Sequence, residues 1–165
     1  MPEVDDVVEA NRRFASGFDR GDAQLPPARP LAILTCIDAR LDPAKFLGLD
    51  IGDAHVLRNA GGRATDDAIR SLLISSWLLG TRGSMVIHHS DCGMLAFTDQ
   101  VLVDMIRDKT GQDRSDMRFL AFTDVEESVR EDVQALKDDL AFPADVAVTG
   151  WVYDVRTGLL ERVAD

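Results

Sequence analysis

Two short clusters in this 165-residue chain gather side chains able to hold a metal or act as nucleophiles. The first is Cys36-Ile37-Asp38-Ala39-Arg40 and the second is His89-Ser90-Asp91-Cys92-Gly93. Together they offer two thiols and an imidazole, the Cys2His set that a catalytic zinc takes while its fourth position stays open. The i, i+3 spacing of His89 and Cys92 lets one tight turn aim both side chains at a single ion. Cys36 and Cys92 are the two cysteines of the chain. A domain of this size needs no disulfide, and none is expected in a reducing compartment. Taken alone, each cysteine reads as a small buried hydrophobe; the neighbours carry the argument for chemistry.

Three histidines compete for the role of ligand. His55 opens a predicted strand and reads as a surface or core-edge residue. His88 adjoins His89, but neighbours on an extended chain point to opposite faces, so only one of them can face an ion. His89 has the turn spacing to Cys92, which leaves His88 packed behind it. Asp38 and Arg40 read either as a surface ion pair or as an ionised carboxylate held toward a metal-bound water. Asp38 as a fourth ligand is the rival role, and it would close the site. Arg58 and Arg63 flank the turn Asn59-Ala60-Gly61-Gly62. There the backbone N–H groups of Gly61 or Gly62 could approach a small substrate that a side chain would exclude.

The elements that must position these clusters follow from hydrophobic spacing. Residues 3–17 read as an amphipathic helix on Val4, Val7, Val8, Ala10, Asn11 and Phe14. The stretch from Gly17 to Pro30 reads as a surface connection. Leu31–Thr35 is a continuous apolar run, as expected of a strand buried on both faces. Asp42 and Pro43 open a short helix ending near Leu49. His55–Arg58 is a second strand, and Thr65 or Asp66 caps a helix that runs on to Gly80. Ser84–His88 is a third strand, followed by a helix near Thr98–Lys109. A further helix over Val125–Leu140 places Val125, Val129, Val133, Leu136 and Leu140 on one stripe. Ala144–Tyr153 is a fourth strand, and Leu159–Val163 pairs beside it across the Arg156-Thr157-Gly158 turn. This alternation predicts a single α/β domain over residues 1–165, with 1–30 as an N-terminal helix and arm. Its sheet is mostly parallel, with four to five strands flanked by helices. Both clusters then fall at the C-terminal ends of strands, where open α/β sheets place their ligands.

Composition narrows the partners. Eighteen Lys+Arg against 29 Asp+Glu give a formal charge of −11, which argues against nucleic acid and against an anionic membrane surface. No run approaches the length of a transmembrane helix, and the acidic opening Met1–Asp6 lacks the apolar core of a signal peptide. The expected compartment is the cytoplasm.

Cys36-x-Asp38-x-Arg40, then Arg58-Asn59-Ala60-Gly61, then His89-x-x-Cys92-Gly93 resembles the β-class carbonic anhydrases, most closely the short bacterial and archaeal members. The match runs in order from about Leu31 to Phe97, while the C-terminal third carries little signature. The resemblance implies one zinc ion per chain, held by Cys36, His89 and Cys92, with Asp38 and Arg40 as the dyad beside it. It implies reversible hydration of carbon dioxide to bicarbonate and a proton, by attack of a zinc-bound hydroxide. It also implies a homodimer embraced by N-terminal helices, with tetramers common. Some members close the site by moving the dyad aspartate onto zinc, and hold a bicarbonate with a Trp shortly before the first cysteine. Here the tryptophans are Trp77 and Trp151, so an open site is expected.

Three other readings stand beside this one. Carbonyl sulfide and carbon disulfide are linear and apolar like carbon dioxide, and relatives that hydrolyse them share the zinc motifs. A non-catalytic zinc protein would need a fourth ligand, taking Asp38 away from Arg40. A dithiol redox protein using Cys36 and Cys92 lacks a Cys-x-x-Cys, and Asp38 and Asp91 nearby are expected to discourage thiolates.

Overall fold

The apolar run at Leu31 forms the first strand of a five-stranded sheet in the computed structural model, which describes residues 2–165. Met1, the first residue of the acidic opening stretch, lies outside the described residues. In chain order the elements are α1 (Pro2–Ser16), β1 (Leu31–Cys36), α2 (Pro43–Leu47), β2 (His55–Asn59), α3 (Asp66–Leu78) and β3 (Gly83–His89). They continue with α4 (Asp99–Thr110), α5 (Val125–Asp138), β4 (Ala147–Tyr153) and β5 (Leu160–Ala164). The sheet order is β2-β1-β3-β4-β5. Strands β2, β1, β3 and β4 are parallel, and β5 returns antiparallel to β4.

Four caps set where the helices begin. Asp42 accepts from Lys45 N, Thr65 from Ala68 N, Thr98 from Val101 N and Asp124 from Glu127 N. Each satisfies a backbone donor that the first turn leaves without a partner. Pro43 opens α2 and Gly48, at φ 62°, closes it.

Strand β1 is buried on both faces, as its run of apolar residues requires. Ala32, Leu34, Val86 and Val148 meet Ala68 and Leu72 of α3 and Val129, Val133 and Leu136 of α5 in one core. Helix α5 lies against β3, β4 and β5. Several expected boundaries move. Helix α5 stops at Asp138 because Asp139 turns extended, so Leu140 leaves the stripe and is fully exposed. Phe142 and Val146 fill the core in its place. Strand β4 begins at Ala147 rather than Ala144, because a turn from Pro143 O to Val146 N occupies the intervening residues.

The order of the strands positions the chemistry. From β1 the chain crosses one way to β2 and then the other way to β3, so the direction of winding reverses between β1 and β3. At such a switch point the loops leave in opposite directions and open a crevice beyond the strand ends. Cys36 is the last residue of β1 and His89 the last of β3.

Candidate metal centre

Among the described residues, Cys36, His89 and Cys92 bring one ligand atom each to within 4.8 Å of one another, and all three are buried. The parallel register Thr35↔Ile87 sets the ends of β1 and β3 side by side. Asp91, at φ 54°, then turns the chain so that Cys92 comes back over the strand end. Non-glycine residues take this left-handed backbone at a cost, and Asp tolerates it better than most.

The donor set fits a zinc ion. His89 Nδ1 lies 2.9 Å from Ser90 O; a carbonyl only accepts, so Nδ1 carries the hydrogen and the lone pair is on Nε2. That Nε2 is buried and has no hydrogen-bond partner. A buried nitrogen left bare, facing two sulfurs, is what a tetrahedral Cys2His site with one remaining position looks like before the ion is counted. Cys36 is lowered to about 4, chiefly because the Cys92 thiol donates to it. Burial opposes this, while His89 and the backbone N–H groups of Asp38 and Gly61 assist. Cys92 is pushed up, by the same hydrogen bond and by burial. The two sulfurs thus set each other's charge through their shared hydrogen bond, and Asp38 adds least to the rise at Cys92. At His89, burial pulls the ring toward the neutral form, but the Cys36 sulfur outweighs it and raises the pKa.

Asp38 and Arg40 form the pair that their spacing predicts. Arg40 donates from Nε to Asp38 Oδ1 at 3.0 Å and from Nη2 to Oδ2 at 2.7 Å. The guanidinium holds the Asp38 carboxyl far below the usual carboxylate range. Asp38 Oδ2 lies 3.7 Å from His89 Nε2, beside the space the three ligand atoms enclose.

Gly61 and Gly62 sit in a tight 3-10 turn after β2, both buried and both with positive φ. A Cβ on Gly62 would lie 3.0 Å from the Thr35 carbonyl carbon and 3.1 Å from Cys36 N. One on Gly61 would meet Met94 Cγ at 3.0 Å. Only glycine lets this turn close on the end of β1. The apolar wall of the centre comes from Leu41, Met94 and Phe122, backed by Phe46, Phe97 and Tyr153.

His88 is fully buried and faces α5, on the side of β3 opposite His89. His55 is half-buried at the start of β2, with Nδ1 2.7 Å from Ser75 Oγ. Two residues named from the sequence take part in ways that their spacing did not show. Asp91 accepts from Arg40 Nη1 at 2.7 Å, and its position inside the His-x-x-Cys turn was the available signal. Arg58 donates to Cys36 O at 2.9 Å and to Asp38 O at 2.7 Å, fixing the loop that carries the dyad. A cavity of about 720 Å³ opens elsewhere, between Arg63, Arg118, Glu131 and Asp132, away from the converging ligand atoms.

Comparison with known proteins agrees with this geometry. The family model described as carbonic anhydrase matches residues 31–160. Beta-carbonic anhydrase 1 of Mycobacterium tuberculosis is 43% identical over 99% of this chain and 99% of its own length. A crystal structure of carbonic anhydrase from Streptococcus mutans superposes with a TM-score of 0.92 at 46% identity, covering 99% of this chain and 98% of that one. A carbon disulfide hydrolase of Acidithiobacillus thiooxidans is 31% identical, over 96% of this chain and 87% of its own length. No helix among the described residues is long and apolar enough to cross a membrane. With its centre at the β1–β3 switch point and these relatives spanning nearly its whole length, the chain belongs to the β-class carbonic anhydrases.

Proposed function

We propose that this chain carries out the reversible hydration of carbon dioxide at one zinc ion per chain, held by Cys36, His89 and Cys92. The bare, buried Nε2 of His89 facing two sulfurs carries this reading. A bound zinc supplies the Lewis acidity that makes water a nucleophile near neutral pH. The residues of the chain do the rest. Arg40 keeps Asp38 ionised and fixed in plane by two hydrogen bonds. Asp38 Oδ2 then accepts a hydrogen bond from the attacking water and points its lone pair at the substrate carbon. Oxygen adds to the carbon of carbon dioxide, giving bicarbonate, and one proton leaves to solvent. Gly61 and Gly62 let the turn close on the end of β1, and their backbone is the part of the turn offered to a linear triatomic. Because Asp38 is engaged by Arg40, the fourth position stays open.

The unit that does this work is a dimer. Helix α1 is exposed along its length after Pro2, with Val4, Val7, Val8 and Phe14 turned out, and a second copy is the surface that covers it. The acidic balance and the cytoplasmic assignment of the sequence reading go with this proposal.

A second reading is favoured by one observation, the relatives named carbon disulfide hydrolase at 31–34% identity. The same centre would then hydrolyse carbon disulfide or carbonyl sulfide. Stopped-flow hydration of carbon dioxide on zinc-quantified protein, with both sulfur analogues run in parallel, separates the two. Fast turnover of carbon dioxide with slow sulfide release is the expected result. Fast sulfide release with slow hydration would transfer the function to the sulfur substrates, and silence on all three with zinc present would refute both.

A further inference from the structure

Behind the glycine turn, three polar side chains are buried that the proposed reaction does not use: His88, Asp132 and Arg63. His88 Nδ1 lies 2.7 Å from Ser128 Oγ, and Nε2 lies 3.2 Å from Gly62 O and 3.1 Å from Asp132 Oδ2. The Gly62 carbonyl only accepts, so Nε2 carries a hydrogen and donates it there. Arg63 Nε stands 2.8 Å from the same Asp132 oxygen, and Nη2 donates to Glu131 Oε2 at 2.9 Å. Neither Arg63 Nε nor Asp132 Oδ2 has an aligned hydrogen bond, so their contact is one of opposite charges, both side chains being buried. Phe122 packs against it, stacked on His88 at 5.7 Å with the Arg63 guanidinium over its ring at 5.6 Å. A buried charge pair of this kind is costly to build and costlier to break from one side.

Its position gives it an object. Ser128, Glu131 and Asp132 belong to α5, while Gly62 and Arg63 belong to the turn. Two side chains, His88 and Arg63, therefore tie the turn to the helix. Gly62 in turn presses on the backbone of Thr35 and Cys36, the end of β1 that carries the first ligand.

We propose that His88, Asp132 and Arg63 are positioning residues for the metal centre, pinning the turn to α5 so that Gly62 stays pressed on the end of β1 that carries Cys36. This rests on the reading that Cys36, His89 and Cys92 hold the zinc. Groups behind a metal ligand set its orientation, and removal of such supporting partners costs metal affinity by about tenfold or more.

The test compares Asp132→Asn and Ser128→Ala with Asp124→Ala, which removes only the cap of α5. Zinc affinity is read by chelator competition on the folded proteins, and the thiolate-to-metal charge-transfer band is read after Co2+ substitution. The expected result is about tenfold weaker zinc binding and a displaced band in Asp132→Asn. Ser128→Ala moves both in the same direction by less, and Asp124→Ala loses stability with both readouts unmoved. Ser128→Ala deletes one hydroxyl and keeps the charge pair, so it reports even where Asp132→Asn does not fold. Wild-type affinity and band in a folded variant of both kinds would overturn the proposal, as would equal shifts in Asp124→Ala. A wild-type protein that binds no stoichiometric metal would instead overturn the reading of the centre itself.

Discussion

Arg40 Nη1 donates to Asp91 Oδ2 at 2.7 Å, while Nη2 reaches the Asp91 carbonyl at 2.8 Å and the Asp38 carboxylate at 2.7 Å. One guanidinium therefore ties the loop after β1 to the turn after β3, the two segments that carry all three ligands. The tie is half-exposed, so its worth lies in geometry more than in stability.

Arg40→Lys separates those two contributions. A point charge on a flexible stem cannot hold two carboxylates in one plane. Displacing a group beside the reacting atoms by about 1 Å is enough to cost about 100-fold in rate. We expect kcat/KM for carbon dioxide to fall by about that factor, with zinc content intact and the urea midpoint little changed. Wild-type kinetics in Arg40→Lys would show that the pair is an ordinary surface contact.

Cys92→Ser tests the metal assignment. Serine keeps the volume but offers a poor ligand, so the ion is left with Cys36 and His89. We expect metal content well below one zinc per chain and activity near background. Dialysis of the wild type against a chelator should silence it, and added zinc should restore it. Stoichiometric zinc in Cys92→Ser would exclude this residue from the ligand set.

Asp99 carries a pH prediction away from the centre. Burial works to raise its pKa, but three backbone donors, Ala121 N, Leu120 N and Phe119 N, at 2.8 to 3.1 Å, outweigh burial and lower it. The folded pKa is thus below the unfolded value of 3.8. Its stabilisation is present above that value and is lost as pH falls through the lower folded one. Asp99→Asn is expected to cost about 1–3 kcal/mol at pH 7. The gap between variant and wild type should close progressively below about pH 4. A gap that stays constant into acid, measured by urea unfolding, would mean that the ionised form is not what holds this loop.

Gly62→Ala probes the close approach of the turn to β1. Its φ of 73° penalises any side chain, and the added Cβ would sit 3.0 Å from the Thr35 backbone, which cannot swing away. The left-handed backbone costs about 1–2 kcal/mol, and overpacking adds about 1–3 kcal/mol. At roughly 2–4 °C per kcal/mol for a domain of this size, Tm should drop by about 10 °C. A loss under a few degrees would show that the turn can retreat from Cys36.

How much of this was legible beforehand depends on the range of the interaction. The ligands were readable because Cys36 and His89 end runs of apolar residues, and because His89 and Cys92 share one turn. The caps at Asp42 and Thr65 were readable for the same local reason, a short polar side chain just before an apolar period. The α5 stripe was misread at Leu140, since one extended residue at Asp139 breaks a period that the spacing alone would continue. Asp132 was silent because its partners, His88 and Arg63, are distant in sequence. The one signal was that Ser128 and Asp132 fall on the helix face that also carries Val129, Val133 and Leu136. Polar groups are placed on a buried face only where something across the interface answers them.

Helix α1 is where the single chain leaves most unexplained, and that yields the last prediction. An isolated helix of 15 residues is marginal in water. After Pro2 this one is exposed throughout, with Val7 and Phe14 more than half accessible. Its amphipathic spacing sets Val4, Val7, Val8 and Phe14 on one side. Such a face is retained in a helix when a partner buries it, and the acidic balance of the chain offers no anionic surface as that partner. Val7→Glu combined with Phe14→Glu places two charges on that face without disturbing the β-sheet. Sedimentation equilibrium should find the wild type as a dimer or a multiple of it, and the double variant shifted to monomer with weakened activity. Should the variant keep the wild-type mass, α1 is not the interface, and the cover for this helix must be sought on the same chain.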